Sequence, residues 1–116
     1  MKSNSINTYF FIGIGGVGMS ALARFCFHSG HKVYGHDKTR SDITNALICE
    51  GIQIFYKDSL NALPKFLLSE DIKVVYSAAI EFNHSQLSFY LQQGNAVMKR
   101  SEFLASLCNN KKTLAV

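Results

Sequence analysis

An α/β fold built on a doubly wound parallel sheet of about five strands is what this 116-residue sequence predicts, and three observations carry that prediction. Short apolar runs alternate with amphipathic stretches along the chain, the rhythm of repeated strand and helix units. The first apolar run, Tyr9 to Ile12, leads directly into a glycine cluster, Gly13, Gly15, Gly16 and Gly18, and then into a helical pattern. An acid, Asp37, closes the next apolar run, nineteen residues after Gly18. In a Rossmann-like unit this order has a physical meaning. The glycines permit a tight turn, let a phosphate approach the backbone and allow the helix to pack on the strand, while the acid accepts from ribose hydroxyls.

Composition bounds the answer. A chain of this length makes a single domain with one core. With 47% hydrophobic and 17% charged residues and one proline, it reads as an ordinary globular protein. No apolar run approaches the roughly 20 residues of a membrane span, and Met1 to Thr8 lack the apolar centre of a secretion signal. A cytoplasmic protein with no membrane partner is therefore expected. The net charge is +4, but the basic residues are scattered without interleaved aromatics, so no nucleic-acid partner is expected either. A mildly cationic surface suits a phosphorylated small molecule. The three cysteines, Cys26, Cys49 and Cys108, form no Cys-x-x-Cys pair and read as small buried hydrophobes in a reducing compartment.

Taken in order, Tyr9 to Ile14 is the first strand and Val17 to Ser29 a helix. Met19, Leu22, Ala23 and Cys26 give that helix a core stripe, and Gly30 stops it. Lys32 to Gly35, running into His36-Asp37, is the second strand. Ser41 or Asp42 caps a helix that ends at Glu50 and is closed by Gly51. Ile52 to Phe55 is the third strand, followed by an irregular stretch in which Ser59 caps a short helix broken by Pro64. Lys73 to Ser77 is the fourth strand. Asn83 or Ser85 begins a helix ending at Gly94, Ala96 to Met98 is the fifth strand, and Ser101 to Cys108 a last helix. Residues 1–8 read as an extended or disordered N-terminus, 9–112 as the domain, and 113–116 as the start of a further strand.

The chemistry legible here is binding. The helix that begins at Val17 points free amides and a positive dipole end at the glycine turn, a seat for a diphosphate. His36 stands beside Asp37, near the expected ligand crevice. His28, His31, His36 and His84 have no metal-ligand spacing, no nucleophile is set with a histidine and an acid, and there is no Gly-x-x-x-x-Gly-Lys-Ser/Thr loop for ATP. No catalytic residue and no metal site are therefore expected in this chain. On these residues alone, the cofactor domain of an NAD(P)-dependent oxidoreductase and a regulatory nucleotide-sensing domain both stay open.

Further segments narrow the choice. Phe11-Ile12-Gly13-Ile14-Gly15-Gly16-Val17-Gly18-Met19-Ser20-Ala21-Leu22-Ala23, with Met-Ser after the last glycine, resembles the Mur ligases of peptidoglycan synthesis. So do Gly35-His36-Asp37 against the family's Gly-Ser-Asp, Ser77-Ala78-Ala79-Ile80 against Ser-Ser-Ala-Ile, and Arg100-Ser101-Glu102-Phe103-Leu104-Ala105 against Arg-Ala-Glu-x-Leu-Ala. The ending Thr113-Leu114-Ala115-Val116 is similar to the strand that leads into the family's ATP loop. The resemblance implies an ATP-dependent amide ligase of cell-wall biogenesis. This first domain would hold the UDP part of UDP-N-acetylmuramic acid, while missing domains bind ATP, magnesium and L-alanine. In such an enzyme ATP activates the lactyl carboxylate as an acyl phosphate, which the amine of alanine displaces. Inactivity of this domain alone follows.

By the same resemblance, Gly15, Gly16, Val17 and Gly18 meet the diphosphate, Asp37 the ribose, and Ser77, Ala78 and Ile80 the uridine side of the crevice. Arg100 meets a ligand phosphate or the domain junction. Two departures stand out. His36 replaces the usual serine, and Phe55-Tyr56-Lys57-Asp58 stands where the family commonly has a Gly-His or Asn-His pair. A sister branch that joins the muramate nucleotide to recycled peptides resembles the chain less, because its glycine turn usually continues with Thr-Phe-Met.

Overall fold

The computed structural model describes residues 6–81 and 83–111. Strand β1 (Thr8–Ile12) is followed by α1 (Val17–His28), β2 (Lys32–His36), α2 (Asp42–Glu50) and β3 (Gln53–Phe55). Two short 3-10 turns, Leu60–Ala62 and Lys65–Leu68, lead to β4 (Lys73–Tyr76), α3 (Ser85–Gln93), β5 (Val97–Lys99) and α4 (Arg100–Lys111). All strand pairs are parallel, and the order across the sheet is β3-β2-β1-β4-β5. The chain winds outward from β1 through β2 and β3, then crosses back to add β4 and β5 on the other side. Its switch point, where crevices form in such sheets, lies at the carboxyl ends of β1 and β4.

Successive side chains of a strand face opposite ways, so a central strand covered on both faces must be apolar throughout. Phe10 and Phe11 show this directly, both fully buried and on opposite faces. Phe11 packs with Met19, Leu22, Ala23 and Cys26 of α1, Leu47 of α2 and Phe103 of α4. Phe10 packs with Leu63 and Leu67 of the 3-10 region and with Leu87 and Tyr90 of α3. The Tyr90 hydroxyl is buried there and donates to the Leu67 carbonyl.

The local signals act as the sequence leads one to expect. Ser41 and Thr44 form a reciprocal capping box at α2, and Gly51 closes that helix in a left-handed conformation at φ +114°. Gly94 ends α3 in the same way. Pro64 precedes the second 3-10 turn, where a missing N–H costs nothing.

Several boundaries differ from expectation. β1 spans Thr8–Ile12, because Gly13 already turns the chain. α3 begins at Ser85, one of the two expected starts, with His84 at its N-cap position. β5 is Val97–Lys99, and α4 continues past Cys108 to Lys111. Only Cys26 is buried, whereas Cys49 and Cys108 are exposed, so the expectation of three buried cysteines fails for two of them. The strand expected over 113–116 lies outside the described residues. Among those described, no helix is long and apolar enough to cross a membrane.

Candidate functional site

The turn after β1 is pinned from below. The N–H groups of Gly13 and Ile14 both donate to the His36 carbonyl, at 2.8 and 3.0 Å. Gly13 sits at φ +87°, a conformation that side chains disfavour. The N–H of Gly15 turns to Asp37, donating to its Oδ2 at 2.8 Å, while Thr39 N–H donates to Oδ1 at 3.0 Å. A Cβ on Gly15 would lie 2.7 Å from that Oδ2. Gly15 is thus needed for the fit of Asp37, and its amide is engaged with the acid.

Gly16 is different. It begins α1 in an extended conformation with no side-chain cap, and a Cβ built on it meets nothing closer than 3.6 Å. Helix geometry leaves the amides of Val17, Gly18 and Met19 without intrahelical acceptors. The other helices fill their N-termini: α2 with Ser41 and Thr44, α3 with Asp58, and α4 with Glu102, which accepts from Lys99 N–H at 2.9 Å. Over the first turn of α1 lies Arg100, close enough that a Cβ on Gly18 would come within 3.1 Å of its Cδ. A guanidinium beside the positive end of a helix is repelled unless an anion sits with them.

Across the crevice, Asp58 accepts from the backbone N–H groups of Ser85 at 2.8 Å and Gln86 at 3.0 Å. Its Oδ1 lies 3.0 Å from His84 Nδ1, and His84 Nε2 lies 3.3 Å from His36 Nδ1. His36 is 2% exposed, and its Nε2 is buried without a partner. Burial, with the neighbouring imidazole second, holds His36 below the ordinary histidine pKa; burial does the same to His84 against the pull of Asp58. Burial pushes Asp58 up, but its two backbone donors and the imidazoles outweigh this and leave it below the usual carboxylate range.

These walls enclose a cleft of about 500 Å³, ordinary for a small-molecule site. Of the residues expected at the site, Gly16, His36, Asp37, Ser77 and Ile80 line it. Gly15, Val17, Gly18, Ala78 and Arg100 do not. Ala78 is not in the wall; its neighbour Ala79, whose N–H donates to Ser77 Oγ, is. Asp58, Glu81, Asn83 and His84 also line the cleft and were not anticipated from the sequence. Lys38 lines it too, whereas Arg40 lies 4.1 Å over the Tyr56 ring. Asp58 and Glu81 therefore stand in the wall away from the glycine turn, while Asp37, held by the Gly15 amide, and Lys38 stand beside it. An anionic group is steered to the helix end, and a neutral one to the acid-lined end. Among the described residues no group of three or more His, Cys, Asp or Glu is arranged to hold a metal ion.

Comparison with known proteins gives a consistent picture. The Mur ligase family, catalytic domain, matches residues 8–112. A UDP-N-acetylmuramate–L-alanine ligase of Cytophaga hutchinsonii is 40% identical over the whole chain, which covers 25% of that protein. One from Porphyromonas gingivalis is 43% identical over 92% of the chain and 24% of its own length. Among solved structures, the UDP-N-acetylmuramate–alanine ligase of Thermotoga maritima superposes with a TM-score of 0.80 at 25% identity, over 90% of this chain and 23% of that one. A Neisseria ligase for UDP-N-acetylmuramate and a tripeptide gives 0.76 at 20% identity over 88% of this chain and 31% of its own, a likeness of fold. The chain spans about a quarter of the length of the curated relatives it matches.

Proposed function

The chain belongs to the Mur ligase family, and from that premise we propose that its cleft holds the UDP part of UDP-N-acetylmuramic acid for a cytoplasmic ligase that adds L-alanine in peptidoglycan synthesis. The observation that carries this reading is the N-terminus of α1, which has no side-chain cap and follows directly on an unobstructed Gly16 in the cleft wall. The diphosphate accepts from the Val17, Gly18 and Met19 amides, gaining charge-assisted bonds and the favourable end of the helix dipole. Arg100 adds a cation on the outer side. The nucleoside lies toward Ser77, Ala79 and Ile80, and Asp37 keeps acceptor capacity for ribose hydroxyls, since each of its oxygens serves one N–H.

ATP and magnesium supply carboxylate activation when bound. The described residues do not fit them, because they contain neither a phosphate loop nor a metal-holding cluster. On this proposal they and L-alanine are held by the part of the full-length relatives that the chain does not span. The residues of the chain bind and orient; they move no proton in the reaction.

Calorimetric titration tests the reading. UDP-N-acetylmuramic acid and UDP are expected to bind saturably, and NADH not at all. Saturable NADH binding with no response to UDP would instead make the cleft a dinucleotide cofactor site.

A further inference from the structure

The contacts among Asp58, His84 and His36 fix where the protons are. Asp58 receives two backbone N–H bonds, one on each oxygen, and so stands as a carboxylate. With that carboxylate 3.0 Å away, His84 Nδ1 carries a proton. The Leu87 N–H contact to the same nitrogen, at 3.4 Å, needs the opposite tautomer and is the longer and weaker of the two. Neutral His84 then has its lone pair on Nε2 and accepts from His36 Nδ1 at 3.3 Å. What remains is the lone pair of His36 Nε2, buried beside the cleft and without a partner. An unpaired buried acceptor carries a desolvation cost that a donor relieves, and this favours the small shift of the cleft wall that contact requires.

We propose that Asp58 and His84 position His36 as a base-reading acceptor. The cleft then selects a nucleobase with a ring N–H, such as the uracil imide, over one with a lone pair there, such as cytosine. The proposal rests on the nucleotide-binding reading above. The base belongs at this end because the diphosphate occupies the α1 end, the Asp58 and Glu81 carboxylates repel it here, and Ala79 and Ile80 offer an apolar wall. Both histidines are needed: a lone His36 is free to carry its proton on either nitrogen, and only the chain from Asp58 settles which.

The test is a calorimetric series with UDP, N3-methyl-UDP and CDP, joined to nitrogen-15 NMR of the histidine side chains. UDP is expected to bind about tenfold more tightly than either analogue, the effect of one unsatisfied acceptor, with His36 Nε2 unprotonated. In His36→Ala the preference should shrink to less than about threefold. In Asp58→Asn an amide N–H can meet His84 Nδ1 and reverse the chain, so His36 Nε2 should gain a proton and the preference should fall. Equal binding of UDP and N3-methyl-UDP, an undiminished preference in folded His36→Ala, or a protonated Nε2 in the unaltered chain overturns the proposal and leaves the nucleotide-binding reading standing. An Asp58→Asn protein with His36 unchanged removes Asp58 from the account. Failure of UDP to bind at all removes both readings, and the NMR assignment decides the tautomer even if His36→Ala does not fold.

Discussion

The N-termini of α1 and α3 border the same cleft, but α3 has its own carboxylate, Asp58, on the amides of Ser85 and Gln86, whereas the first amides of α1 have no side chain at all. Each arrangement has a cost and a use. An internal anion stabilises a helix end and excludes an external one from it; a bare end forgoes that stabilisation and offers a seat. On the proposed reading, a ligand that carries both a diphosphate and a neutral base lies with its charge at α1.

The largest expected effect breaks the open end. Gly16→Val places a side chain where the proposal seats the diphosphate, at a backbone conformation, φ −68° and ψ 151°, that valine tolerates. UDP affinity should fall at least about 100-fold by calorimetry while the thermal midpoint moves by no more than a few degrees. Retained affinity in a folded variant would put the diphosphate elsewhere.

Next comes the closed end. Asp58→Ala removes the acceptor for two α3 amides and the partner of His84, and should lower stability by about 1–3 kcal/mol in urea denaturation. A change near zero would mean that water caps α3 equally well.

A pH series sharpens the same contrast. His36 and His84 are held below the ordinary histidine value near 6.5, mainly by burial, so the unfolded chain binds protons that the folded one refuses. Their contribution is complete above about pH 7 and is lost as pH falls through the unfolded value, by at most about 1.4 kcal/mol per pH unit for each group. Asp58, also lowered, acts only further down, below its unfolded value near 3.8. Urea midpoints at pH 7.5 and 5.5 should show the loss, and His84→Gln should flatten it; a midpoint that rises on acidification contradicts the neutral histidine pair.

The smallest effect concerns Arg100, which is exposed. Arg100→Ala should weaken UDP binding only a few-fold, and the deficit should shrink in high salt. A salt-independent loss would mean that Arg100 acts through packing on Gly18.

Much of the fold was legible because its signals are local. Ser41, one of two caps the sequence offered, Gly51 and Gly94 each mark a helix end within four residues of its cause, and the apolar runs mark the strands. The strand, glycine turn and helix of the open half were legible for the same reason, being contiguous, although of Gly15, Gly16, Val17 and Gly18 only Gly16 lines the cleft. The closed half was not. His84 lies 48 residues from His36 and 26 from Asp58, and the three meet only because the crossover to β4 brings the start of α3 over the ends of β2 and β3. Read singly, His84 has no ligand spacing and Asp58 is a loop acid where a histidine was expected. Ala78 and Ala79 show the limit at one residue: two adjacent alanines read alike in the sequence, and only Ala79 lines the cleft.

The central claim is that the diphosphate sits at α1 and is excluded from α3. Titrating the nitrogen-15-labelled chain with UDP and following backbone amides tests it most directly. The account predicts the largest shifts at Gly16 to Met19, with Ser85 and Gln86 moving little because Asp58 already holds them. Dominant shifts at Ser85 and Gln86, with Gly16 to Met19 unmoved, would contradict it.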